Sequence, residues 1–188
     1  MLKKAKHAKE ASLKLATLST KIKNKTLMKI ANSLKRHSNL ILKVNKKDLE
    51  EAKKSKLGEV LVKRLALDMY KIDEMVEEVK TVARLEDPVG RILSQVQLDK
   101  GLMLYKVTCP IGVIGVIFES RPDVVPQISA LCLKSGNAVI LKGGSEAKNS
   151  NRILLKLISE ALQKNHIPKG TIQIIETREE VYQMLKLD

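Results

Sequence analysis

The apolar residues of this 188-residue chain change their spacing near residue 88, and this change restricts the folds open to the chain. Before that point they recur every three or four positions, as in Leu27, Ile30 and Leu34, which is the pattern of one helix face. After it, short continuous apolar runs alternate with helical stretches. The sequence therefore predicts a helical segment over residues 1–87, followed by units of strand and helix.

Three positions mark expected helix ends in the first segment. Ser38 and Asp68 are residue types whose side chains accept a hydrogen bond from the first helical turn, so each is expected to be an N-cap. The pair Asp87-Pro88 is expected to stop the last helix, because a residue before proline avoids the helical region.

Residues 93–107 have the pattern of a β-hairpin. Leu93, Val96 and Leu98 are interleaved with polar residues, and a short turn containing glycine, Asp99-Lys100-Gly101, follows them. The second strand is expected to begin directly after this turn. We expect the hairpin to be an appendage rather than part of the main sheet.

Residues 108–188 predict an incomplete Rossmann-like α/β unit. Three short apolar runs, Val113–Phe118, Ala138–Leu141 and Thr171–Ile175, are expected to be strands, with a helix after each. A continuous apolar run is typical of a strand that is buried on both faces, which is the expectation for Val113–Phe118. Strands that alternate with helices imply right-handed crossovers and a parallel sheet.

The loop Lys142-Gly143-Gly144-Ser145-Glu146 is the first candidate binding site. It follows the second strand of the parallel sheet, and ligands of such sheets bind beyond the carboxyl ends of strands. Its two glycines permit close approach of a ligand, and it leads into a helix N-terminus, which suits anions. Lys142 is expected to hold a ribose hydroxyl or a phosphate. The alternative is a plain turn with an exposed lysine.

Glu119-Ser120-Arg121, after the first strand of the same sheet, is the second candidate. It brings a carboxylate, a hydroxyl and a guanidinium to the expected ligand edge, and Arg121 offers bidentate recognition of a phosphate or carboxylate. The alternative is a helix start in which Ser120 is the N-cap and Arg121 pairs with Glu119 at the surface.

Composition narrows the possible partners. The formal net charge of +14 favours polyanions in general. Most of this charge is lysine spread over helical segments, and Phe118 is the only phenylalanine, so few bases would find a stacking partner. No nucleic-acid partner is therefore expected, although a basic nucleic-acid-binding module remains a third reading of the chain.

Cys109 and Cys132 are the only cysteines, and they form neither a disulfide framework nor a metal-binding CxxC pair. Cys132 lies in an apolar run and is expected to be a buried small hydrophobe. No metal site, transmembrane helix or secretion signal is expected, so the cytoplasm is the expected location.

Two long blocks of the sequence resemble γ-glutamyl phosphate reductases. They are residues 109–123 (CPIGVIGVIFESRPD) and residues 133–147 (LKSGNAVILKGGSEA), and the shorter stretches 85–91 and 176–180 are similar too. The resemblance covers essentially the whole chain. The reductase half of bifunctional pyrroline-5-carboxylate synthases shares these blocks.

The resemblance implies an aldehyde-dehydrogenase-like fold with a cofactor domain, a catalytic domain and a hairpin arm used for oligomerisation. It implies NADPH-dependent reduction of L-glutamate 5-phosphate to L-glutamate 5-semialdehyde and phosphate, in proline biosynthesis. In such enzymes a catalytic cysteine attacks the acyl phosphate to form a thioester, and hydride from the nicotinamide releases the aldehyde. Full-length members are expected to be homo-oligomers.

Individual positions also carry implications from the resemblance. Lys142 matches a lysine that contacts the adenosine ribose in the wider superfamily. Ser145 stands where many NAD-using relatives have a glutamate, and its neutrality removes repulsion against the 2′-phosphate of NADPH. Ser120 and Arg121 occupy the segment that carries an oxyanion-stabilising asparagine elsewhere, so both are expected to contact the substrate.

Family members are longer than this chain, and their catalytic cysteine lies downstream of the segment it resembles. We therefore expect residues 1–188 to form a partial NADPH-binding domain that lacks the catalytic domain and is inactive alone. Neither Cys109 nor Cys132 matches the nucleophile. The alternatives are a non-catalytic half that complements a separately encoded C-terminal part, or the remnant of a broken gene.

Overall fold

The computed structural model describes residues 1–187 and begins with five helices. Their bounds are α1 (Leu2–Leu15), α2 (Thr20–Arg36), α3 (Ser38–Lys54), α4 (Glu59–Leu65) and α5 (Met69–Arg84). Helix α2 packs against α5, and Leu27, Ile30 and Leu34 are fully buried on it. The helical spacing in the sequence is therefore confirmed.

The predicted helix ends are partly confirmed. The Asp68 side chain accepts a hydrogen bond from the Lys71 amide at 2.8 Å, so it is the N-cap of α5. Helix α5 ends at Arg84, shortly before Asp87-Pro88. The N-cap prediction for Ser38 is wrong. Only His37 separates α2 from α3, so Ser38 is already the first helical residue.

Two lysines are buried where the helical segment meets the rest of the chain. Lys23 pairs with the Asp87 carboxylate at 2.9 Å. The Lys134 ammonium donates to Asn24 Oδ1 at 2.6 Å and to the Ala83 carbonyl at 3.1 Å. Burial lowers the pKa of Lys134, while the charge of Asp87 opposes the change. Each ammonium thus has the partner that a buried charge requires.

The predicted hairpin is confirmed. Strands β1 (Ile92–Asp99) and β2 (Leu102–Val107) are antiparallel and joined by a turn in which Gly101 has a φ of 81°. Within residues 1–187 they pair only with each other. Both strands leave large apolar side chains exposed: Ile92, Leu93, Val96, Leu98, Leu102, Leu104, Tyr105 and Val107.

The predicted parallel sheet is also confirmed. Strands β3 (Val113–Ile117), β4 (Ala138–Lys142) and β5 (Ile172–Ile174) lie in the order β3-β4-β5. Helices α6 (Val124–Lys134) and α7 (Lys148–Gln163) connect them, and α8 (Arg178–Leu185) follows β5. A short 3-10 helix, Ser145–Ala147, precedes α7. Because both crossovers run in one direction, their helices share a face of the sheet.

Burial differs sharply between the first two strands of this sheet. The β4 residues Ala138, Val139 and Leu141 are fully buried, since α1 and α6 both contact that strand. The expectation that β3 is buried on both faces is wrong. Gly115 and Ile117 are exposed, because they lie on one face of β3, which α1 covers less than it covers β4; within residues 1–187, β3 pairs with β4 alone.

Helix α8 has no buried residue, but its half-buried Val181 and Met184 pack against the core, and polar contacts add to this packing. Glu180 Oε1 accepts from the Lys4 ammonium at 2.8 Å, and Glu180 Oε2 accepts from the Glu176 amide at 2.9 Å. Chiefly because of the Lys4 hydrogen bond, the pKa of Glu180 falls from 4.5 to about 2. The carboxylate therefore stabilises the folded state above pH 4.5, and this contribution is lost as the pH falls towards 2.

We expect acidification from pH 6 to pH 3 to cost Glu180→Gln less stability than the unsubstituted chain. The difference should be about 1–2 kcal/mol in unfolding free energy, because the pair is partly exposed and screened by solvent. Urea unfolding at the two pH values measures it. An equal loss of stability in both proteins would show that the Glu180 carboxylate does not stabilise the folded state.

Candidate functional site

A cavity of about 410 Å³ opens at the carboxyl ends of β3 and β4. It is the edge at which ligands of parallel sheets bind. Both predicted loops reach it, together with side chains from the α3–α4 connection, α4 and α8. The lining residues are Leu57, Leu61, Ile117, Phe118, Glu119, Ser120, Lys142, Gly144, Ser145, Glu146, Arg178, Val181 and Tyr182.

The loop after β4 leaves little room for a Cβ at either of its glycines. A Cβ on Gly143 would collide with the Asn151 amide and lie 3.1 Å from the Phe118 ring. A Cβ on Gly144 would overlap the Glu146 carboxylate, which lies directly across it. Lys142 is half-buried and donates to the Gly143 carbonyl at 2.7 Å, while Ser145 is exposed in the cavity.

The Glu146 side chain joins the two predicted loops. Its Oε1 atom accepts from the Ser120 amide at 2.8 Å and from the Ser120 hydroxyl at 2.6 Å. Burial favours a raised pKa for this carboxyl. The hydrogen bonds from Ser120 and the charge of Lys142 outweigh burial, so the pKa of Glu146 lies below its usual range.

Ser120 is buried and has a φ of 40°, in the left-handed region that a residue with a Cβ rarely adopts. The reading of Ser120 as an N-cap is wrong, because α6 begins only at Val124 and follows Asp123. Both hydrogen-bond donors of Ser120 are bound to Glu146. In this conformation neither donor is free for the substrate contact predicted from the sequence.

Arg121 lies in a different cavity from Ser120. This second cavity, of about 450 Å³, is formed with α4 and α5 and is lined by Val60, Lys63, Arg64, Lys71, Glu74, Met75, Glu78, Arg121 and Asp123. The Arg121 guanidinium donates to Asp123 at 2.8 Å, which raises its pKa further. The predicted surface pair of Arg121 with Glu119 is therefore wrong.

The N-terminus of α7 is already occupied by a side chain of the protein. The buried Asp48 carboxylate of α3 accepts from the amides of Asn149 at 3.2 Å and Ser150 at 2.7 Å. It also accepts from the side chains of both residues. The expectation that this helix N-terminus offers its amides to an anionic ligand is wrong for these two donors, because a carboxylate already binds them.

Arg178 is a cavity residue that the reading of the sequence did not select. It is the first residue of α8, the helix that follows β5, and it is exposed. The nearby acids are held by other cations: Glu176 by Arg152 and Lys148, and Glu180 by Lys4. Within residues 1–187 Arg178 makes no ion pair. Its position after the third predicted strand could have indicated that it lies at the ligand-binding edge of the sheet.

Neither cysteine lines the two cavities. Cys132 is buried as predicted, and burial raises the pKa of its thiol to about 11, which keeps it protonated at neutral pH. Cys109 is exposed in the segment between β2 and β3. These two thiols are therefore placed away from the loops that could bind a ligand.

Two further kinds of feature are absent from residues 1–187. No group of three or more histidine, cysteine or acidic side chains is arranged to hold a metal ion. None of the helices combines the length and the apolar character needed to cross a membrane.

The sequence of this chain is similar to that of curated enzymes. A gamma-glutamyl phosphate reductase from Acetivibrio thermocellus is 51% identical over 180 residues, which cover 96% of this chain and 42% of the relative. The enzyme of the same name from Ruminiclostridium cellulolyticum is 53% identical over 178 residues. The chain thus spans about two-fifths of the length of these relatives.

Solved structures give the same result. The crystal structure of gamma-glutamyl phosphate reductase from Thermotoga maritima matches with a TM-score of 0.95 and 42% identity, covering 99% of this chain and 45% of that one. The Saccharomyces cerevisiae enzyme matches with a TM-score of 0.89 and 44% identity, covering 94% and 46%. The Aldehyde dehydrogenase family profile matches residues 1–186. The expected resemblance is confirmed, and the chain belongs to the aldehyde dehydrogenase family.

Proposed function

We propose that this chain is part of an NADPH-dependent γ-glutamyl phosphate reductase of the cytoplasm. Such an enzyme converts L-glutamate 5-phosphate to L-glutamate 5-semialdehyde and phosphate in proline biosynthesis. The observation that carries the proposal is the cavity at the carboxyl ends of β3 and β4, in a fold that superposes on a reductase of that name with a TM-score of 0.95. The proposed contribution of residues 1–187 is part of the cofactor and substrate sites.

The residues of the cavity fit the phosphate and ribose groups of a nicotinamide dinucleotide. Lys142 and Arg178 supply positive charge, and Ser145 supplies a hydroxyl. Gly144 exposes backbone without a Cβ, and its neighbour Glu146 directs its carboxylate to Ser120. The bound cofactor would supply the hydride. We propose Lys142, Gly143, Gly144, Ser145 and Glu146 as its loop, with Arg178 added, and NADPH rather than NADH as the dinucleotide.

The second cavity suits an anionic substrate group. Four cationic side chains line it, alongside three acids: Lys63, Arg64, Lys71 and Arg121, with Glu74, Glu78 and Asp123. A guanidinium binds a phosphate or a carboxylate through two parallel hydrogen bonds. We propose that Arg121 contacts the substrate, and that Ser120 contributes to the substrate site as the residue that precedes it.

Replacing Arg121 with lysine in a complete enzyme that carries this segment is expected to raise the KM for L-glutamate 5-phosphate about tenfold, because lysine cannot make the bidentate contact. The KM for NADPH should change little. Initial-rate kinetics with each substrate varied measures both values. Arg36→Lys, an exposed change on α2, is the control. An unchanged KM for the acyl phosphate would remove Arg121 from the site.

The nucleophile is proposed to lie outside residues 1–188. The Cys132 thiol is buried and has a raised pKa, and Cys109 lines neither cavity. Thioester formation needs a thiolate next to the acyl carbon. Neither cysteine meets that condition in this structure.

A non-catalytic half that complements a separate C-terminal part is the second candidate. The open edge of β3 favours it. A groove of about 770 Å³ lies over one face of β3, between α1 and α8, and is apolar at Ile111, Ile117, Met184 and Leu185. An unpaired strand edge with exposed apolar flanks is suited to another strand. In the complete enzyme the exposed β1–β2 hairpin is proposed to join subunits into a homo-oligomer.

The reductase proposal is tested by NADPH oxidation with L-glutamate 5-phosphate in a complete enzyme that carries this segment. We expect turnover that depends on both substrates and falls at least tenfold in Lys142→Ala, because the charge that holds the cofactor is removed. Absence of turnover in the unsubstituted enzyme would refute the function. Salt-sensitive retention on DNA would instead support the nucleic-acid reading.

A further inference from the structure

The two loops at the carboxyl ends of β3 and β4 are tied by one side chain. Glu146 lies beyond β4, and Ser120 lies beyond β3, 26 positions earlier in the sequence. A single carboxylate oxygen accepts both donors of Ser120, at 2.8 and 2.6 Å. This is the only side-chain hydrogen bonding that joins these two loops within residues 1–187.

Three features indicate that the hydrogen bonds between Glu146 and Ser120 have a structural role. Ser120 is 1% exposed and holds a φ of 40°, which its backbone would not adopt without support. Gly144 has no Cβ, and a Cβ there would displace the Glu146 carboxylate, the end of a flexible side chain, from its present position. Lys142 lies near enough to stabilise the charge of Glu146. The loop sequence is thus arranged around the position of this carboxylate.

The conformation of Ser120 determines where the next residue points. Arg121 follows the left-handed residue directly and lines the cavity formed with α4 and α5. If Ser120 relaxed to an ordinary φ, the chain would leave β3 in another direction and Arg121 would move with it. Glu146 therefore acts on the Arg121 cavity although it does not line it.

We propose that Glu146 is a positioning residue rather than a cofactor ligand: its carboxylate fixes Ser120 in the left-handed conformation and so sets the Arg121 side chain in the substrate cavity. This inference rests on the proposed reductase function and refines it, because it reassigns one residue of the predicted cofactor loop. Ser120 likewise becomes a positioning residue, since both of its donors serve this link.

The test is kinetic and uses a complete enzyme that carries this segment. Glu146→Ala is expected to raise the KM for L-glutamate 5-phosphate about tenfold, while the Kd for NADPH, measured by its fluorescence, stays within about threefold. Glu146→Gln should remain near the parent enzyme, because its amide oxygen accepts both hydrogen bonds. Glu10→Ala, an exposed change on α1, is the matched control.

A second variant separates positioning from general loss of stability. Glycine adopts a positive φ without strain, so Ser120→Gly placed in the Glu146→Ala enzyme is expected to restore part of the affinity for the acyl phosphate. A rise in the NADPH Kd with an unchanged KM for the acyl phosphate would show that Glu146 is a cofactor ligand. Equal damage from Gln and Ala would show that its charge matters and the link does not.

Failure of the reductase function is distinguishable from failure of this inference. If the parent enzyme does not reduce the acyl phosphate, hydrogen exchange of the peptide around Ser120 still reports on the link. Glu146→Ala should then speed amide exchange at Ser120, and Glu146→Gln should not. Unchanged exchange in Glu146→Ala would overturn the proposal.

Discussion

Asp48→Ala is expected to destabilise the chain by about 3–5 kcal/mol, because it removes the acceptor of four hydrogen bonds inside the fold. The lost partners are the amides and side chains of Asn149 and Ser150, at the start of α7. Asp48 is 1% exposed, so water does not replace it easily. The α7 amides would also lose the favourable charge at their helix terminus.

Urea unfolding measures this loss as a shift in midpoint at constant slope. Asp48→Asn should cost roughly half as much, because its amide oxygen still accepts while its NH2 group faces other donors. Glu50→Ala, an exposed change on the same helix, serves as the control and should stay within about 0.5 kcal/mol. A loss below about 1 kcal/mol in Asp48→Ala would mean that this network does not anchor α3 to α7.

Ser145→Glu should reverse the proposed preference for NADPH over NADH in a complete enzyme that carries this segment. We expect the Kd for NADPH to rise about 10- to 100-fold, because the introduced carboxylate would repel the 2′-phosphate. The Kd for NADH, which has no 2′-phosphate, should change little. Ser145 is exposed in the cavity beside Lys142, so a longer side chain has room there.

Fluorescence titration with each dinucleotide measures the ratio of the two constants. Ser145→Gln has nearly the same size without the charge and should keep the NADPH preference, which isolates the electrostatic effect. If Ser145→Glu leaves the ratio unchanged, the residue after Gly144 does not read the 2′-phosphate. The preference would then depend on other cations of the cavity, of which Arg178 is the first to test.

Local pattern was enough for most of the elements. The apolar spacing around Leu27 predicted a buried helix face, and the glycine turn at Gly101 predicted the hairpin, because each signal depends on neighbours within a few residues. The expected burial of β3 on both faces was wrong, because burial depends on elements that are distant in the sequence. An apolar run shows that a strand packs, but not which strands stand beside it.

The sequence predicted which loops meet at the site but not how their side chains pair. Serine is a residue type that often caps helices. The Ser120 hydroxyl instead donates a hydrogen bond to Glu146, which the intervening helix and strand bring next to it. Asp48 occupies the α7 terminus from 101 positions away. Such contacts depend on how the helices pack in the folded chain, so local sequence patterns do not predict them.

The most direct measurement is NADPH oxidation with L-glutamate 5-phosphate by residues 1–188 alone, and again with the C-terminal part of the proposed reductase added. We predict no turnover by the first sample and measurable turnover by the second, because Cys132 is buried and Cys109 lines neither cavity. Turnover by the 188-residue chain alone, at the rate of a complete reductase, would contradict this placement of the nucleophile.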